Sequence, residues 1–484
     1  MYLKTKITTA ILTSFFFYFL LSQPVSGQDK AREMDAFLAE LYENKALNGV
    51  VLAVQKGKVI YKKAYGYANF ETQTRLTTST PFNLASVSKQ FTAMGIMILA
   101  ERGKLKYDDP IVNYLPELDV KDITIRHLLN HTSGLVEYVD LFERYKWGTS
   151  RIADNNDVIK LFKKYKPKPL FKAGSAYRYS NTGYVLLACI IERVSGQSFA
   201  VFLKQNIFDP LDMRNSFAYN LKMKKCPQER AMGFAIGRNR IEHYDLIFID
   251  GIMGDGNVYC SADDLFKWDQ SLYTEKLVKK STLALAFTPG RLNNGRFINY
   301  GFGWIISPDR KSMKHSGTWR GFRATIHRNI ATERTLIFLD NSTNPYRSRI
   351  VRTLLNCMEG KLYTIPTKMI ASALLKTIRE KDIATAVRLY YALKRTKRHA
   401  YYFNENSINI LGYQLLGEKK IDEAIRIFLL NVEAFPSSFN VYDSLGEAYM
   451  IKGNKELAIE NYRKSLELNS NNVNALKKLE KLRE

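Results

Sequence analysis

The stretch of residues 83–95, Asn-Leu-Ala-Ser-Val-Ser-Lys-Gln-Phe-Thr-Ala-Met-Gly, contains a serine and a lysine three residues apart, Ser86 and Lys89. The apolar residues that follow recur at helical spacing, which predicts a helix with an apolar face of Val87, Phe91, Met94 and Ile98. Residues three apart are neighbours on a helix, so we expect the Lys89 amine to lie one turn from the Ser86 hydroxyl. Because a serine hydroxyl needs a group that takes its proton, the pair indicates a nucleophile beside a base.

Ser86 and Lys89 alone do not define a site, but two further polar motifs lie downstream of them. Ser86 itself is expected at the beginning of its helix, where unpaired backbone N–H groups and the helix dipole favour negative charge. Ser-x-x-Lys alone is a weak signal, because such pairs occur by chance on many solvated helices. Tyr179-Ser180-Asn181 precedes an apolar helical pattern over 185–194, and His315-Ser316-Gly317-Thr318 follows a strand-like segment over 300–306. The three motifs together indicate one site.

In the order and type of these motifs the chain resembles the serine β-lactamase and penicillin-binding-protein superfamily, in particular its branch of class C β-lactamases and D-alanyl-D-alanine carboxypeptidases. That branch is marked by Ser-x-x-Lys, Tyr-x-Asn and Lys-Thr-Gly or His-Thr-Gly, in this order. The resemblance spans roughly residues 30 to 358 and includes His127-Leu-Leu-Asn-His-Thr-Ser-Gly-Leu and Gly254-Asp-Gly. It implies acyl transfer through a covalent intermediate on the serine.

The resemblance also implies a role for each residue of the first two motifs. Ser86 is the nucleophile, and Lys89 shares the proton taken from it and keeps the site electropositive. Tyr179 lies beside Ser86 and helps to move the proton to the leaving group, although a tyrosine here would also fit a core aromatic. Asn181 hydrogen-bonds Lys89 or a substrate amide, although an asparagine before Gly183 could also just shape a turn.

The third motif is expected to bind the substrate. His315, Ser316, Gly317 and Thr318 would lie on a strand that borders the site, and Gly317 would allow a close backbone approach. On the family pattern, the backbone N–H groups of Ser86 and Thr318 form the oxyanion hole.

His315 is the departure from the family pattern that matters most. Class C β-lactamases carry a lysine there, whereas an imidazole is largely neutral near neutral pH unless a partner holds its proton. We therefore expect recognition of a substrate carboxylate at this position to be weaker or pH-dependent, with Arg320 or Arg323 as candidates for the missing charge. The departure argues against β-lactam hydrolysis more than against acyl chemistry.

Other polar residues in these motifs are expected to be structural. His127 and His131 belong to a segment that is a loop in this family, and Asp255 fits a tight turn near the site. The sequence contains no Gly-x-Ser-x-Gly, which argues against an α/β-hydrolase, and no Cys-x-x-Cys or His-Glu-x-x-His, so it predicts no metal site and no cofactor. The four cysteines leave disulfides open, and Cys189, inside an apolar run, is expected to be a buried thiol.

The first 27 residues predict a secretory signal peptide. Lys4 and Lys6 give a basic start, 7–21 an apolar core and Val25-Ser-Gly27 a cleavage site of small residues. The core is short for a membrane span, so we expect export to the periplasm or the medium.

The formal net charge of +25 indicates anionic surroundings such as cell-envelope polymers or nucleic acid. Export and the lack of a recognition motif argue against nucleic acid. Association with an anionic cell envelope remains as a hypothesis, beside a basic surface that is simply solvated.

An internal repeat occupies the C-terminal part of the chain. The period is 34 residues, and the matched pairs are Leu411 and Leu445, Gly412 and Gly446, Ala424 and Ala458, Phe428 and Tyr462, and Pro436 and Ser470. This is the tetratricopeptide period, in which small residues permit close helix crossing. The earlier segment 370–397 fits the register poorly and is expected to be a degenerate or capping hairpin. The repeats predict either a surface for a protein partner or a helical bundle without one.

The expected fold class is α+β: an antiparallel sheet flanked by helices, with a mostly helical subdomain, followed by an all-α helical-repeat domain. Strand patterns cover 49–55, 58–65 and parts of 298–340, and a helical pattern covers 33–41. The predicted domains are a signal peptide (1–27), a hydrolase domain (28–360), a linker (361–370) and a repeat domain (371–484).

These features predict an exported serine hydrolase that cleaves an amide or ester through an acyl-enzyme on Ser86. The candidate substrates are a D-alanyl peptide of peptidoglycan, a β-lactam and a small ester, with a carboxypeptidase or esterase favoured over a true β-lactamase. Two other classes stay open: a non-catalytic peptidoglycan-binding or sensing protein, and an interaction protein that acts through its repeats. The intact Ser86, Lys89 and Tyr179 argue against the first, and the small number of repeats argues against the second.

Overall fold

The computed structural model describes residues 27–43, 46–236, 241–361, 368–397 and 401–483. The predicted signal peptide lies outside these ranges except for Gly27, and the predicted linker is described only at its two ends, so both assignments stay predictions. The α-helices are α1 (Gly27–Glu43), α2 (Lys89–Glu101), α3 (Ile125–Leu129), α4 (Tyr138–Arg144), α5 (Asn155–Tyr165), α6 (Asn181–Ser195), α7 (Phe199–Leu203), α8 (Ala262–Ser271), α9 (Lys280–Ala286), α10 (Arg347–Glu359), α11 (Ile370–Glu380), α12 (Ile383–Thr396), α13 (Glu405–Gly417), α14 (Ile421–Ala434), α15 (Phe439–Lys452), α16 (Lys455–Leu468) and α17 (Val473–Arg483).

The strands are mostly short outside one large sheet. They are β1 (Gly49–Gln55), β2 (Lys58–Tyr65), β3 (Tyr67–Asn69), β4 (Thr74–Arg75), β5 (Phe82–Asn83), β6 (Ser216–Ala218), β7 (Phe234–Ile236), β8 (Ile241–His243), β9 (Val258–Cys260), β10 (Gly290–Arg291), β11 (Phe297–Ile298), β12 (Ile305–Ile306), β13 (Ser312–Trp319), β14 (Phe322–Asn329), β15 (Arg334–Asp340), β16 (Lys368–Met369) and β17 (Tyr401–Tyr402). Short 3-10 turns span Ala85–Ser88 and Ile111–Asn113, and a π-helical turn spans Lys204–Phe208.

The large sheet has six strands in the order β12-β13-β14-β15-β1-β2, and neighbouring strands pair antiparallel. Strand β1 is buried along nearly its whole length because both faces of the sheet are covered. Val50 and Leu52 face the core of the helical subdomain, whereas Val51 and Ala53 face a second core that includes residues of α1 and α10. The sheet predicted from the strand patterns is therefore confirmed, with helices on both faces.

Helix α2 lies at the centre of the larger core. The sequence predicted one apolar face, but the helix is buried on all sides, including Ala93, Ile96, Met97 and Leu99. Helices α6 and α7 pack against it. The segment just before β12 also packs against it, at Gly303. A helix that is apolar all round fits such a position.

The segment 300–306 was predicted to be a strand, and only Ile305–Ile306 forms one. The reason is its two glycines. A Cβ at Gly301 would lie 2.0 Å from the Ala286 carbonyl oxygen, and one at Gly303 would lie 2.9 Å from the Lys89 carbonyl oxygen. The segment thus passes close to the backbone of α9 and of α2 instead of continuing the sheet.

The C-terminal helices form antiparallel hairpins, as the repeat predicted. Helices α13 and α14 form one hairpin and α15 and α16 the next, and a Cβ at Gly412 would lie 2.5 Å from the Phe428 ring. The poorly matching segment 370–397 forms a further hairpin, α11 and α12, whose Leu374 and Tyr390 share a core with the first repeat. The fold class is confirmed: an α+β body followed by a helical-repeat region. The predicted domain boundaries themselves stay predictions.

Across the described ranges, no single helix is long and apolar enough to cross a membrane. Asn181–Ser195 and Phe199–Phe208 meet the length and composition test only as a pair, with a bend of 79° between them.

Candidate active site

The turn that carries Ser86 is strained. Asn83 ends β5, and its side-chain Oδ1 accepts a hydrogen bond from the Ala85 backbone N–H at 2.8 Å. Ala85 has a φ of +47°, which costs a residue with a Cβ of the order of 1 kcal/mol and is concentrated at functional sites. Ser86 follows in the 3-10 turn that leads into α2. The predicted helix start is thus a strained turn that presents the Ser86 side chain, which is partly exposed.

Lys89 is fully buried and lies between the first two motifs. Its Nζ is 3.2 Å from Ser86 Oγ, and it donates to Asn181 Oδ1 and to the Asp255 carbonyl oxygen, each at 2.9 Å. These contacts match the three donors of an ammonium group. The structure therefore brings Ser86, Lys89 and Asn181 together as predicted, and it adds the Asp255 backbone, which the sequence had assigned to a tight turn.

Asn181 is held in position by the beginning of α6. Ser180 caps this helix, because its Oγ accepts from the Gly183 backbone N–H at 3.3 Å. The Asn181 backbone N–H donates to the Glu137 carboxylate, at 3.0 and 3.1 Å from its two oxygens. The Asn181 amide oxygen is thereby fixed towards Lys89.

Tyr179 lies on the other side of Lys89, whose Nζ is 4.9 Å from the centre of the Tyr179 ring. The Tyr179 hydroxyl is buried and has no hydrogen-bond partner within the part of the chain that is described. His131 packs against the same ring, with centres 4.3 Å apart, and its Nδ1 accepts from the Ser180 backbone N–H at 3.1 Å. His131 therefore supports the second motif, which agrees with a structural role but brings it into contact with the site.

His127 lies in the first turn of α3 and forms a capping box with Thr124, the residue that caps this helix. Its Nδ1 accepts from the Thr124 backbone N–H at 3.1 Å, and the Thr124 side chain accepts from the His127 N–H in return. This contact fits the structural role expected for His127.

Strand β13 carries the third motif along an edge that is open towards the serine turn. Strand β12 pairs only with Met313 and Lys314, so the β13 edge from His315 onward has no strand partner there among the described residues. A Cβ at Gly317 would lie 2.1 Å from the Leu84 carbonyl oxygen, just before the serine turn. The close approach predicted for Gly317 is confirmed.

His315 is buried and uncharged near neutral pH. Burial, and after it the nearby charge of Lys89, lowers the pKa of its imidazole to about 3. Its Nδ1 lies 3.0 Å from the Ser316 carbonyl oxygen and must donate, so Nε2 accepts from the Tyr300 hydroxyl at 3.0 Å. Of the two expectations for this position, a neutral imidazole favours weaker recognition of a carboxylate over pH-dependent recognition, and the substrate role of His315 stays a prediction.

The two arginines proposed to supply the missing charge point elsewhere. The Arg320 guanidinium stacks on the Tyr244 ring at 3.6 Å, and Arg323 Nη1 donates to the backbone carbonyls of residues 320 and 322. The guanidinium that contacts the motif is that of Arg347, whose Nη1 donates to the Gly317 carbonyl oxygen and to Thr318 Oγ1, both at 2.7 Å. Sequence analysis missed Arg347 because no motif marks it.

A cavity of about 190 Å³ opens beside Ser86 and Thr318. The residues that line it include Tyr138, Asp250 and Asp255, none of which the sequence had assigned to substrate binding. Burial raises the pKa of Asp250 to about 6, and burial also raises the pKa of Asp255, against the opposing charge of Lys89.

Neither a metal-binding cluster nor a disulfide occurs in the described part of the chain. No group of three or more His, Cys, Asp or Glu side chains in the described part of the chain could hold a metal ion. None of the four cysteines, all of which the structure describes, forms a disulfide, and Cys189 is buried as expected.

Comparison with known proteins gives the class to which this fold and site belong. The family model described as Beta-lactamase matches residues 34–356, and the model described as Tetratricopeptide repeat matches residues 439–472. Penicillin-binding protein 4* of Bacillus subtilis (strain 168) is 37% identical over 359 residues, covering 70% of this chain and 79% of that protein. D-aminopeptidase of Brucella anthropi is 27% identical and covers 60% of this chain and 55% of that protein.

A solved structure agrees with these matches. The octameric penicillin-binding protein homologue from Pyrococcus abyssi aligns with a TM-score of 0.59 and 28% identity over 68% of this chain and 77% of that chain. The chain therefore belongs to the beta-lactamase family and carries a C-terminal tetratricopeptide repeat. Its relatives in that family support acyl-enzyme hydrolysis of amides or esters.

Proposed function

We propose that this protein is an exported serine hydrolase that cleaves an amide or ester bond through an acyl-enzyme on Ser86. The observation that carries the proposal is the buried Lys89 amine, 3.2 Å from Ser86 Oγ, at a serine that lines a cavity. A nucleophile in hydrogen-bond contact with a base is the arrangement that activates a hydroxyl.

Lys89, whose three contacts are those of an ammonium group, first gives one proton to solvent. In the acylation step, Ser86 Oγ then forms a bond to the substrate carbonyl carbon while its proton passes to the resulting neutral amine. The carbonyl π electrons move to the oxygen, which the backbone N–H groups of Ser86 and Thr318 stabilise. As the carbonyl re-forms, the bond to the leaving nitrogen or oxygen breaks. Tyr179 gives its hydroxyl proton to the leaving group and takes a proton from Lys89, which restores the neutral amine.

Deacylation repeats these steps with water as the nucleophile. The water attacks the acyl carbon and gives up a proton to the same basic groups. The bond to Ser86 Oγ then breaks, and Ser86 Oγ recovers its proton as the acid product leaves.

The proposed substrates are a D-alanyl peptide of peptidoglycan, a small ester or a β-lactam. The names of two relatives, a penicillin-binding protein and a D-aminopeptidase, support a substrate with a D-amino acid. The uncharged His315 supports a carboxypeptidase or esterase over a true β-lactamase, because a lysine is absent where a β-lactam carboxylate would bind. Arg347, in contact with Thr318, is compatible with a peptide that ends in a carboxylate.

Export and partners belong to the same proposal. The basic start and the apolar stretch 7–21 support a cleaved signal peptide, and N-terminal sequencing of the secreted protein tests it. The net charge supports contact with an anionic envelope, and the repeats support a protein partner.

The decisive experiment is covalent labelling of the purified protein with a serine-directed acylating or phosphonylating probe. We expect a single adduct on the peptide that contains Ser86, absent from Ser86→Ala. Ser150→Ala, an exposed serine outside the site, is the matched control and should label normally. An adduct on another serine, or turnover that survives Ser86→Ala, would falsify the mechanism, and a folded protein without any adduct would favour the non-catalytic alternative.

A further inference from the structure

The cavity beside Ser86 has an electrostatic character opposite to that of the whole chain. The formal net charge is +25, yet no lysine, arginine or histidine lines this cavity among the described residues. The acidic residues that line it are Asp250 and Asp255. Since Ser86 lines the same cavity, a substrate that acylates Ser86 lies close to these two residues.

Asp250 is held rigidly in the wall. Its side chain is buried, with the residue only 2% exposed, and each carboxylate oxygen accepts a hydrogen bond. The donors are Trp319 Nε1 at 2.8 Å and the Ile247 backbone N–H at 2.6 Å. Asn257 also hydrogen-bonds this carboxylate, which has about four acceptor positions, so about one of them remains for a ligand. Trp319 directly follows Thr318, which couples Asp250 to the strand that borders the substrate.

Asp255 contributes the second carboxylate from the Lys89 side of the site. Its Oδ2 accepts from the Tyr138 hydroxyl at 3.2 Å, and Tyr138 also lines the cavity. The Asp255 backbone carbonyl accepts from Lys89, so the ammonium of Lys89 is already bound by that carbonyl, Asn181 and Ser86.

We infer that this cavity selects substrates with a protonated amine, held by Asp250 and Asp255 while the adjacent carbonyl reacts with Ser86. A carboxylate removed from water is costly unless it is paired, and an ammonium group supplies both the charge and the hydrogen bonds. The volume of about 190 Å³ suits a small head group. Among the proposed substrates, this favours an aminoacyl amide or ester with a free amine over a peptide whose reacting D-alanyl residue has its amine acylated. This inference rests on the proposed acyl chemistry at Ser86.

Two other interpretations make different predictions. If Asp250 only orients Trp319, a free amine on the substrate should confer no advantage. If Arg347 dominates recognition from its position on Thr318, a carboxylate on the substrate should matter and an amine should not.

The test compares three p-nitroanilides that differ only at the α-position: D-alanyl, N-acetyl-D-alanyl and propionyl. We expect kcat/KM for the D-alanyl compound to exceed that for the other two at least tenfold. Asp250→Asn keeps the shape of the side chain and should reduce this preference to less than threefold by slowing the D-alanyl reaction alone. Asp212→Asn, an exposed carboxylate outside the cavity, is the matched control and should keep the full preference.

A binding measurement separates this inference from the chemistry. Calorimetry on Ser86→Ala should detect D-alaninamide and give at least tenfold weaker binding for N-acetyl-D-alaninamide. Equal binding of the two, or equal wild-type rates with free and acetylated substrate, overturns the amine site even if Asp250→Asn fails to fold. If Ser86 takes up the acylating probe but the amine gives no advantage, this inference alone fails; if Ser86 is not acylated at all, the proposed function fails.

Discussion

Replacing Gly317 with alanine tests how tightly the third motif is held against the serine turn. A Cβ at this position would lie 2.1 Å from the Leu84 carbonyl oxygen and 3.0 Å from Ala85 Cβ. Contacts under 3.0 Å do not persist in folded proteins, so the strand or the turn must move by about 1 Å at this point. Both neighbours are backbone or the first side-chain carbon, and neither can rotate away.

The expected loss of acylation rate follows from the functions of the serine turn and of strand β13. The turn carries Ser86, and β13 carries Thr318, whose N–H groups are assigned to the oxyanion. A misplacement of about 1 Å in such an arrangement costs about 100-fold in rate. We therefore expect Gly317→Ala to lower the rate of Ser86 acylation about 100-fold, equivalent to about 2.7 kcal/mol of activation free energy.

The assay is the acylation rate measured by mass spectrometry over time, together with a thermal unfolding curve. Gly148→Ala is the matched control, because a Cβ there would meet nothing closer than 3.8 Å. The control should acylate at the wild-type rate. The reasoning is wrong if Gly317→Ala unfolds at the wild-type temperature and acylates within threefold of the wild-type rate.

Three further predictions concern stability and the base. His315 has a folded-state pKa of about 3, below its usual 6.5, so its contribution to stability is complete above pH 6.5 and is lost as the pH falls towards 3. The free energy of unfolding of His315→Gln, measured by denaturant titration, should therefore fall by about 1 kcal/mol less per pH unit between about pH 6 and pH 4 than that of the wild type. Equal slopes for the two proteins would contradict this. Gly412→Ala should lower the melting temperature of the repeat region more than Gly446→Ala. A new Cβ would lie 2.5 Å from an aromatic ring at Gly412 but 3.1 Å from one at Gly446. A larger decrease for Gly446→Ala would contradict the packing. Lys89→Ala should slow acylation at least 100-fold while circular dichroism stays native, and an unchanged rate would remove Lys89 from the mechanism.

The sequence was sufficient for the parts of the site that lie close together along the chain. Ser86 and Lys89 are one turn apart, so helical spacing alone predicted their contact. The strand patterns over 49–55 and 58–65 were equally informative and match β1 and β2. The first is apolar throughout because both of its faces are covered, whereas the second, at the edge of the sheet, has several exposed lysines.

The parts that sequence reasoning missed depend on long-range packing. Arg347 contacts Thr318 only because α10 begins beside the end of β13, and no local pattern marks that position. Asp250 and Tyr138 line the cavity from loop and helix positions more than a hundred residues apart. The backbone strain at Ala85 was also invisible, since an alanine gives no sign of a positive φ.

The charges of the site explain why a neutral His315 is compatible with a buried Lys89. A second cation close to Lys89 would raise the cost of burying both, and the structure avoids it by holding His315 neutral between Tyr300 and the Ser316 carbonyl. The positive charges near the serine are thereby Lys89 and, at Thr318, Arg347, and the acidic residues that line the cavity are Asp250 and Asp255. A family member with lysine at this position presents a cation to the substrate. In this chain the lining of the cavity is acidic instead, which is the basis for the inference that the substrate carries the positive charge.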